Sequence, residues 1–346
     1  MKVLVCGLGA IGQRHVRMLR QVCGASVRIA AYRSRKLAIV ISDKLEATEG
    51  VKPEGHYGIE VFDDFDVALA DRPDAVFVTN PISMHVATAL AAARVGAHLF
   101  LEKPVSSTMD GIAELMREVK ERRLVTMVGF QLRYHPMLEA VRGWVEAGEI
   151  GNIISAELHF GEWLPGMHPY EDYRDSHAAR ADQGGGVINC LSHEIDLARW
   201  LVGPALTVAA SGGHLSNLEM NGVEDVADLQ LSCAVGNRRV PVHVHLDFLQ
   251  RPMRRYGRIY GDIGTIEWDY PTSTARIVRP PPAEPEVRSW ATFERNDMFV
   301  AEVRDFVQAV RNGSATRVPL LDGVETLKVC VAAHRAMARG TVEVIA

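Results

Sequence analysis

The spacing of hydrophobic positions along this chain changes at about residue 128. Before that point, short apolar runs without polar alternation, typical of strands buried on both faces of a parallel sheet, alternate with segments of helical spacing. This order of elements predicts a doubly wound α/β domain over residues 1–127. We predict strands over 1–6, 27–31, 75–79 and 97–101, with helices from just after Gly9 to Arg20 and from about Met84 to Gly96.

Beyond residue 128, apolar and polar side chains alternate with a period of two, as in a sheet that is covered on one face. We therefore predict a second, α+β domain over residues 128–346, with a large open and mainly antiparallel sheet. A C-terminal amphipathic helix can pack back on the first domain, and Pro280 to Pro282 mark a surface loop. The predicted strands are 153–160, 226–233, 239–248, 256–260 and 265–268, and the late helices are 298–310 and 323–337.

A glycine motif, Gly7-x-Gly9-x-x-Gly12, follows the first predicted strand directly and leads into a helix. Gly7 permits a tight turn, Gly9 allows a pyrophosphate to approach the backbone, and Gly12 allows the helix to pack closely on the strand. The main chain around Ala10 and Ile11 would offer unpaired N–H groups to the anion. The order of strand, glycines and helix predicts a dinucleotide-binding Rossmann domain.

Cofactor choice is expected at the end of the second strand, where an acidic residue would accept the ribose hydroxyls of NAD. The chain has Arg33, Ser34 and Arg35 there, with no carboxylate in the sequence to repel a 2′-phosphate. This pattern predicts NADP(H) as the preferred cofactor, with NAD(H) possible. The alternative is that the basic residues are a solvated start to the next helix.

Composition limits the classes of partner and compartment. With 346 residues and 47% hydrophobic content, the chain can bury a large core, and its net charge of −5 gives no reason to expect nucleic acid. The five cysteines show no C-x-x-C spacing, which is expected of free thiols in a reducing compartment. We see no secretory signal and no apolar stretch of membrane-spanning length, so we expect a cytoplasmic protein without a membrane partner.

Two further segments carry candidate chemistry. Lys103 follows a predicted strand, at the edge where open α/β sheets bind ligands. A glycine triplet, 184–186, leads to His193, and if the chain is helical from Val187, then Asn189 and Cys190 share the face of His193. His193 could then act with Lys103 in proton transfer. The alternative is a histidine that is hydrogen-bonded within the helix packing, for example to Asp196.

Taken together, these motifs resemble the Gfo/Idh/MocA family of oxidoreductases over essentially the whole chain. The resemblance implies a Rossmann domain followed by an open-sheet substrate domain, and a homodimer or homotetramer formed through that sheet. It also implies that Lys103 exchanges a proton with the reacting oxygen and touches the nicotinamide ribose, with a cis peptide before Pro104. The motifs that carry it are Gly7 to Gly12, Thr79-Asn80-Pro81 with His85, Glu102-Lys103-Pro104, Gly129 to Arg133, and the glycine triplet leading to His193; in the family, Asn80, Pro81, His85, Glu102 and Gln131 line the cofactor groove.

One position departs from the family pattern. Most members have an aspartate one turn before the histidine, whereas this chain has Cys190, with Asn189 beside it. Neither residue supplies a fixed negative charge at neutral pH. Either Lys103 carries the proton transfer while His193 mainly orients the substrate, or activity is reduced or lost.

We therefore expect reversible hydride transfer between nicotinamide and a secondary hydroxyl or ketone of a sugar, amino sugar, nucleotide sugar or cyclitol. The alternatives are a non-catalytic sensing protein, which the cysteine suggests, and a redox-assisted glycosidase, as a few relatives of the family are. Arginines that could hold a phosphate or carboxylate of the substrate could equally form domain contacts. The candidate substrate residues are Lys103, Arg133, Tyr173, Arg180, Asn189 and His193.

A cluster on one predicted strand imitates a metal site. His243, His245 and Asp247 alternate along the chain and therefore face the same way. The outer face of such a sheet commonly forms an oligomer interface with polar residues mixed in, and the family needs no metal. We expect no metal at these residues.

Overall fold

Strands and helices alternate through the first part of the chain. The computed structural model describes residues 1–34 and 37–345. The elements of this part are β1 (Lys2–Cys6), α1 (Ala10–Cys23), β2 (Arg28–Tyr32), β3 (Ile39–Ile41), β4 (Ala47–Glu49), α2 (Pro53–Tyr57), β5 (Glu60–Phe62), α3 (Phe65–Ala70), β6 (Ala75–Val78), α4 (His85–Arg94), β7 (His98–Leu101), α5 (Ile112–Glu121) and β8 (Thr126–Val128).

Six of these strands form one parallel sheet in the order β5-β2-β1-β6-β7-β8. The central strands β1 and β6 are buried on both faces, which explains their uninterrupted apolar sequences. From β1 the chain continues outward to β2 and β5 on one side, whereas β6, β7 and β8 follow one another on the other side. The strand order therefore reverses between β1 and β6, and the crevice at such a switch point is where open α/β sheets bind ligands. The carboxyl ends of β1, β2, β6 and β7 all lie at this edge. The predicted Rossmann fold is confirmed.

In the second part of the chain most neighbouring strands pair antiparallel, and helices cover one face of their sheet. The elements of this part are α6 (Pro136–Glu146), β9 (Ile153–Gly161), α7 (Leu164–Met167), α8 (Val187–Cys190), α9 (His193–Leu201), β10 (Ala205–Gly213), β11 (Val226–Val235), β12 (Arg238–Asp247), β13 (Arg254–Gly261), β14 (Thr265–Asp269), β15 (Thr274–Val278), β16 (Glu286–Ser289), α10 (Arg295–Asn312), α11 (Leu320–Arg339) and β17 (Glu343–Val344).

A nine-stranded sheet, in the order β16-β15-β14-β13-β9-β12-β11-β10-β17, dominates this part. Its strands are antiparallel except for the pair β9 and β12, which runs parallel at the centre. Alternate residues such as Leu158 and Val244 are buried on the helix-covered face, and their neighbours point to the other, outer face. The large open, mainly antiparallel sheet is therefore confirmed, although the short strands β15 and β16 and the longer β10 were not predicted from the sequence.

The last two helices connect the two sheets. Helix α10 packs against α1, and α11 packs against β10, α9 and β8. Between them, the loop pairs with the edge of the parallel sheet, where Val128 N–H donates to Val318 O at 2.9 Å and the Thr316 hydroxyl donates to Thr126 O at 2.6 Å. Among the described residues, no helix is long and apolar enough to cross a membrane.

Candidate active site

The three motif glycines have different surroundings. Gly7 has φ +105°, and a Cβ on it would lie 2.9 Å from Thr79 O. A Cβ on Gly12 would lie 2.0 Å from Gly7 O, so the first turn of α1 needs a glycine to pack on the strand end. For Gly9, in contrast, no atom of the described residues lies within 4 Å of a built Cβ. Within that part of the chain the space above Gly9 is open, as the predicted approach of a pyrophosphate requires.

The N-terminus of α1 fits an anion. Gly9 is the N-cap, none of the side chains in residues 1–34 and 37–345 caps the helix, and its first turn contains no acidic residue. The first N–H groups of a helix lack intrahelical partners, and the helix dipole favours negative charge there. The main chain at Ala10 and Ile11 therefore forms, with the open space above Gly9, a cradle that suits a dinucleotide pyrophosphate.

At the end of β2, the structure shows an acidic partner, Glu54, that sequence inspection missed. Arg33 is buried and its guanidinium contacts Glu54 of α2, with Nη2 2.8 Å from Oε2, and donates to Leu37 O at 2.9 Å. The strand end is thus not free of acid in space, which corrects the expectation drawn from the sequence. Ser34 is exposed, and Arg35 lies outside the described residues.

The turn after β6 lies against the end of β7. The buried His85 ring has Nδ1 2.9 Å from Pro104 O and Nε2 2.9 Å from Asn80 O, and burial lowers its pKa. Asn80 donates to the Thr88 hydroxyl at 2.8 Å, while its Oδ1 is buried without a hydrogen-bond partner among the described residues. His85 therefore fixes the turn that includes Pro81, and Asn80 keeps an acceptor free for a ligand.

Lys103 lies at the carboxyl end of β7, beside these groups. Its peptide bond to Pro104 is cis, as the resemblance implies. The side chain is partly buried, and Nζ donates to the main-chain oxygen of Cys190 at 2.5 Å. Burial lowers the pKa of Lys103, whereas the negative charge of the nearby Glu102 acts in the opposite direction. Lys103 is thus held across the crevice between the two sheets.

The Glu102 carboxylate contacts a helix of the first domain and the main chain of Lys103. Its Oε1 lies 2.6 Å from Nε2 of the fully buried His15 on α1, and its Oε2 accepts a hydrogen bond from Lys103 N at 3.3 Å. Gln131 is buried in the turn after β8. These contacts make Glu102 a positioning residue for the strand end.

Glu302 of α10 is a buried carboxyl group that sequence reasoning did not single out. Neither of its oxygens has a hydrogen-bond partner among the described residues. Burial raises its pKa well above the usual value, and the charge of Glu102 raises it further. Glu302 therefore stays protonated in the folded protein at pH values where the unfolded chain ionises it.

Glu302→Gln is expected to stabilise the protein at pH 8 and to have little effect near pH 4. The wild-type protein loses stability as pH rises above the unfolded-state pKa of about 4.3, because only the unfolded chain then gains a charge. Melting curves at both pH values measure the difference, which we expect to reach about 2–4 °C at pH 8, equivalent to roughly 1 kcal/mol. Glu121→Gln, on the exposed face of α5, is the control; an equal shift in both variants would contradict the assignment.

His193 lies at the first position of α9, and its surroundings correct one prediction. The chain is not continuously helical from Val187, because α8 ends at Cys190 and a two-residue turn follows. The His193 ring packs edge-on against Phe130 with centroids 5.6 Å apart, and Nδ1 is buried without a partner among the described residues. Burial lowers its pKa well below the usual value, as do the charges of Lys103 and Arg255. His193 is therefore neutral at pH 7.

The alternative reading of His193 as a partner of Asp196 is wrong, since the Asp196 carboxylate binds Arg133. Arg133 donates from Nε and Nη2 to Asp196 at 2.9 and 2.6 Å, and from Nη1 to Asp322 at 2.7 Å. The Arg133 side chain is only 5% exposed. This geometry favours a domain contact for Arg133 over the substrate contact expected from the sequence.

Cys190 and Asn189 contribute to the site through the backbone. Burial raises the pKa of the Cys190 thiol to about 12, so the side chain stays uncharged and only its main-chain oxygen contacts Lys103. Asn189 donates to Gly184 O and Gly185 O at 3.1 and 3.2 Å, which holds the glycine triplet in place. Asn189 Oδ1 is buried without a partner among the described residues, and so remains free to accept a hydrogen bond.

Tyr173 and Arg180 lie on the segment before the glycine triplet. The Tyr173 hydroxyl accepts a hydrogen bond from Glu219 N at 3.0 Å, and Arg180 pairs with Asp182 at 2.8 Å. Both side chains are partly exposed. Their segment also packs on the first domain, since a Cβ on Gly184 would lie 3.0 Å from the Ile82 side chain.

Arg255 is a further site residue that sequence reasoning missed. It donates to both oxygens of Glu194 at 2.7 and 3.0 Å, and its guanidinium lies 4.2 Å from the centroid of the Phe160 ring. Its positive charge helps to lower the pKa values of Lys103 and His193. The available signal was an arginine on the apolar face of β13, the face it shares with Ile259.

These groups together form an acid/base site beside a dinucleotide cradle. A lysine with a lowered pKa can give and take a proton near neutral pH, and a neutral histidine can orient a hydroxyl group. A family model described as "Oxidoreductase family, NAD-binding Rossmann fold" matches residues 1–130, and one described as "GFO/IDH/MocA C-terminal domain" matches residues 138–267. The chain belongs to the Gfo/Idh/MocA family of oxidoreductases. Membership confirms the resemblance seen in the sequence motifs.

Several relatives within the Gfo/Idh/MocA family match along nearly the whole chain. The scyllo-inositol 2-dehydrogenase (NAD(+)) of Bacillus subtilis (strain 168) is 26% identical over 349 residues, which cover 97% of this chain and 94% of that protein. Levoglucosan dehydrogenase in complex with NADH and levoglucosan has a TM-score of 0.83 at 18% identity, covering 100% of this chain and 99% of that one. The WlbA dehydrogenase from Bordetella pertussis, in complex with NADH and UDP-GlcNAcA, has a TM-score of 0.80 at 19% identity. The match covers 100% of this chain and 98% of that one. These structural matches show the shared fold.

Proposed function

We propose that the protein is an NAD(P)-dependent dehydrogenase or reductase acting on a secondary hydroxyl or ketone of a sugar, amino sugar, nucleotide sugar or cyclitol. The observation that carries the proposal is Lys103, whose pKa is lowered by burial, at the end of β7 beside the neutral His193. Relatives named as inositol and levoglucosan dehydrogenases, and a dehydrogenase solved in complex with UDP-GlcNAcA, support the substrate class.

In this mechanism the bound nicotinamide supplies or accepts the hydride. Lys103 Nζ donates a proton to the substrate oxygen during reduction and accepts it during oxidation. The Cys190 oxygen orients Nζ, and burial lowers the Lys103 pKa toward the working pH. His193, neutral and with Nδ1 free among the described residues, orients the substrate hydroxyl, and Asn189 Oδ1 offers a second acceptor.

A panel of cyclitols, sugars and nucleotide sugars, assayed by absorbance of the reduced nicotinamide, tests the proposal. Turnover on one class of polyol is expected. Cofactor binding without turnover on any compound would favour a sensing protein, which the Cys190 substitution suggests. Release of a free sugar from a glycoside, with no net change in reduced cofactor, would identify a redox-assisted glycosidase.

We further propose that NADP(H) is preferred over NAD(H), with NAD(H) also accepted. Arg33 would contact the 2′-phosphate of NADPH. Because Arg33 also pairs with Glu54, we expect NADPH to bind less than about tenfold more tightly than NADH, a difference below roughly 1.4 kcal/mol. Fluorescence titration with NADPH and NADH measures it. We expect Arg33→Ala to remove the preference and Glu54→Gln to increase it. Tighter NADH binding by the wild-type protein, strengthened in Arg33→Ala, would overturn this assignment.

We also propose a cytoplasmic homodimer or homotetramer that assembles through the outer face of the nine-stranded sheet. This face carries half-buried side chains such as Tyr256 and Tyr260 between charged ones, a mixture that suits an interface between identical subunits. A reducing compartment suits the free thiols of the chain. Light scattering on the purified protein gives the molar mass, and a monomer at micromolar concentration would contradict the assembly.

A further inference from the structure

Three side chains that could ligate a metal meet on the outer face of the nine-stranded sheet, away from Lys103. His245 of β12 lies directly beside His159 of the parallel neighbour β9, and Asp247 follows two residues later on the same face. One ligand atom from each lies within 4.8 Å of the other two. The two histidine rings stack, with centroids 4.6 Å apart and an angle of 19° between their planes. Strand pairing alone therefore assembles two imidazoles and one carboxylate.

The hydrogen bonds of His245 favour a cation in this cluster. Its Nδ1 lies 2.9 Å from Asp228 Oδ1, and its Nε2 lies 3.1 Å from Asp247 Oδ2. A neutral imidazole has one N–H and cannot donate to both carboxylates, so in the metal-free protein the doubly protonated ring makes both contacts. A metal ion between Nε2 and Asp247 Oδ2 would take the place of the Nε2 proton, while Nδ1–H keeps its hydrogen bond to Asp228.

The remaining hydrogen bonds orient two of the candidate ligands, His245 and Asp247. Asp228 on Nδ1 of His245 is the carboxylate–histidine arrangement that fixes the tautomer of metal-bound imidazoles. Asp247 Oδ1 accepts from Leu249 N at 2.7 Å and Gln250 N at 2.9 Å, which leaves Oδ2 directed at the cluster. Each of the two ligands is thus oriented by a partner outside the cluster.

His159 has an unused ring. It stacks between His245 and Tyr256, with centroids 4.6 and 4.8 Å away, but across residues 1–34 and 37–345 no hydrogen bond to its ring nitrogens is found. An imidazole without a polar partner, half-buried beside a carboxylate, has a lone pair to offer. The sequence prediction of no metal considered His243 instead, and the His243 ring has Nε2 3.0 Å from Asp228 Oδ1.

We propose that His159, His245 and Asp247 form a zinc site. Two nitrogens and one carboxylate oxygen are ligands that Zn²⁺ accepts, and in a tetrahedral arrangement the fourth position is left for a further ligand. The two imidazole rings are nearly parallel, so the His159 ring must rotate out of the stack before both in-plane lone pairs meet at one ion. Because the ligands approach from one side of the sheet, that fourth position faces away from the strands, toward the outer face proposed above as the subunit interface, where Tyr256 stacks on His159. The site is separate from the dinucleotide cradle and from Lys103.

Calorimetric titration of the full-length, chelator-treated and dialysed protein with ZnCl2 tests the site. We expect one zinc per chain, and an affinity that falls more than about 100-fold in His159→Phe, beyond the 10–100-fold typical of an outer-shell partner such as Asp228→Asn. The His159→Phe variant keeps the stacked ring. His243→Phe, on the same face, is the matched control and should bind zinc as the wild-type protein does.

Two further measurements keep the outcome decisive. Cobalt substitution should give a visible spectrum without a thiolate charge-transfer band, since no cysteine belongs to the cluster. NADH titration of each variant verifies that the fold is intact. Zinc binding that is unchanged in His159→Phe, a thiolate band, or no zinc uptake at all would overturn the site.

Discussion

Replacing Lys103 with methionine is expected to reduce kcat by about 10³-fold while weakening NADH binding far less, through loss of the ribose contact that the family resemblance implies. Methionine keeps the length of the side chain but has no proton to exchange, and general acid–base catalysis contributes roughly 10²–10⁴-fold. The hydrogen bond to Cys190 O is lost as well, but the glycine loop and the N-terminus of α1 are untouched. Steady-state turnover on the substrate found in the panel, together with fluorescence titration, separates the two effects.

Lys120→Met provides the matched control, because Lys120 is exposed on α5, and it should keep wild-type turnover. Lys103→Arg is the second variant. Its guanidinium retains positive charge but does not deprotonate near neutral pH, so it should remain as impaired as methionine. Retention of more than one tenth of the wild-type kcat in Lys103→Met would transfer the acid/base role to another group, for which His193 is the candidate.

The pH dependence of the wild-type protein gives a signed test of the same role. Burial lowers the pKa of Lys103 from its usual value of 10.5. Oxidation requires neutral Nζ, so kcat/KM in that direction should rise with pH through the lowered pKa, and in the reducing direction it should fall through the same pKa. A Lys103→Arg enzyme should show neither limb in its residual activity. Profiles of equal slope in both directions would contradict the assignment.

The fold could largely be predicted from the sequence because strands buried on both faces and strands buried on one face have different hydrophobic patterns. β1 and β6 are buried on both faces and read as continuous apolar runs, whereas β9 and β12 alternate. Strands β15 and β16 were missed because they are short and lie on either side of the loop that contains Pro280 to Pro282. The first turn of α8 could be expected, but the turn that interrupts the helix before His193 has no glycine or proline to signal it.

The site was predictable where a motif fixes the backbone, as at Gly12, and less so where charges pair across the sequence. Glu54 is 21 residues from Arg33, and no local pattern connects them. Arg133 was read as a substrate residue for the same reason, since Asp322 is 189 residues away. Burial decides such cases: a guanidinium under the surface must be paired. The same rule makes an arginine on an apolar strand face, as at Arg255, a signal that can be used.

Arg133→Met is expected to destabilise the protein by about 3–5 kcal/mol, the usual cost of removing one partner of a buried ion pair. The variant leaves Asp196, which is 1% exposed, as an uncompensated buried carboxylate, and it releases Asp322 of α11 from the same guanidinium. Urea unfolding followed by circular dichroism gives the free energy of unfolding. The double variant Arg133→Met with Asp196→Leu should recover part of the loss, because it removes the unpaired charge as well.

Arg174→Met is the matched control, since Arg174 is exposed and pairs only with exposed acidic residues, and it should unfold at the wild-type urea concentration. The two roles considered for Arg133 give opposite results. If Arg133 forms a structural ion pair, Arg133→Met lowers the free energy of unfolding and leaves the KM of the surviving folded enzyme near its wild-type value. A substrate contact raises KM in a protein of unchanged stability, and that outcome would restore the expectation drawn from the sequence. Because Asp196 and Asp322 together bind three of the guanidinium nitrogens, we expect the first result.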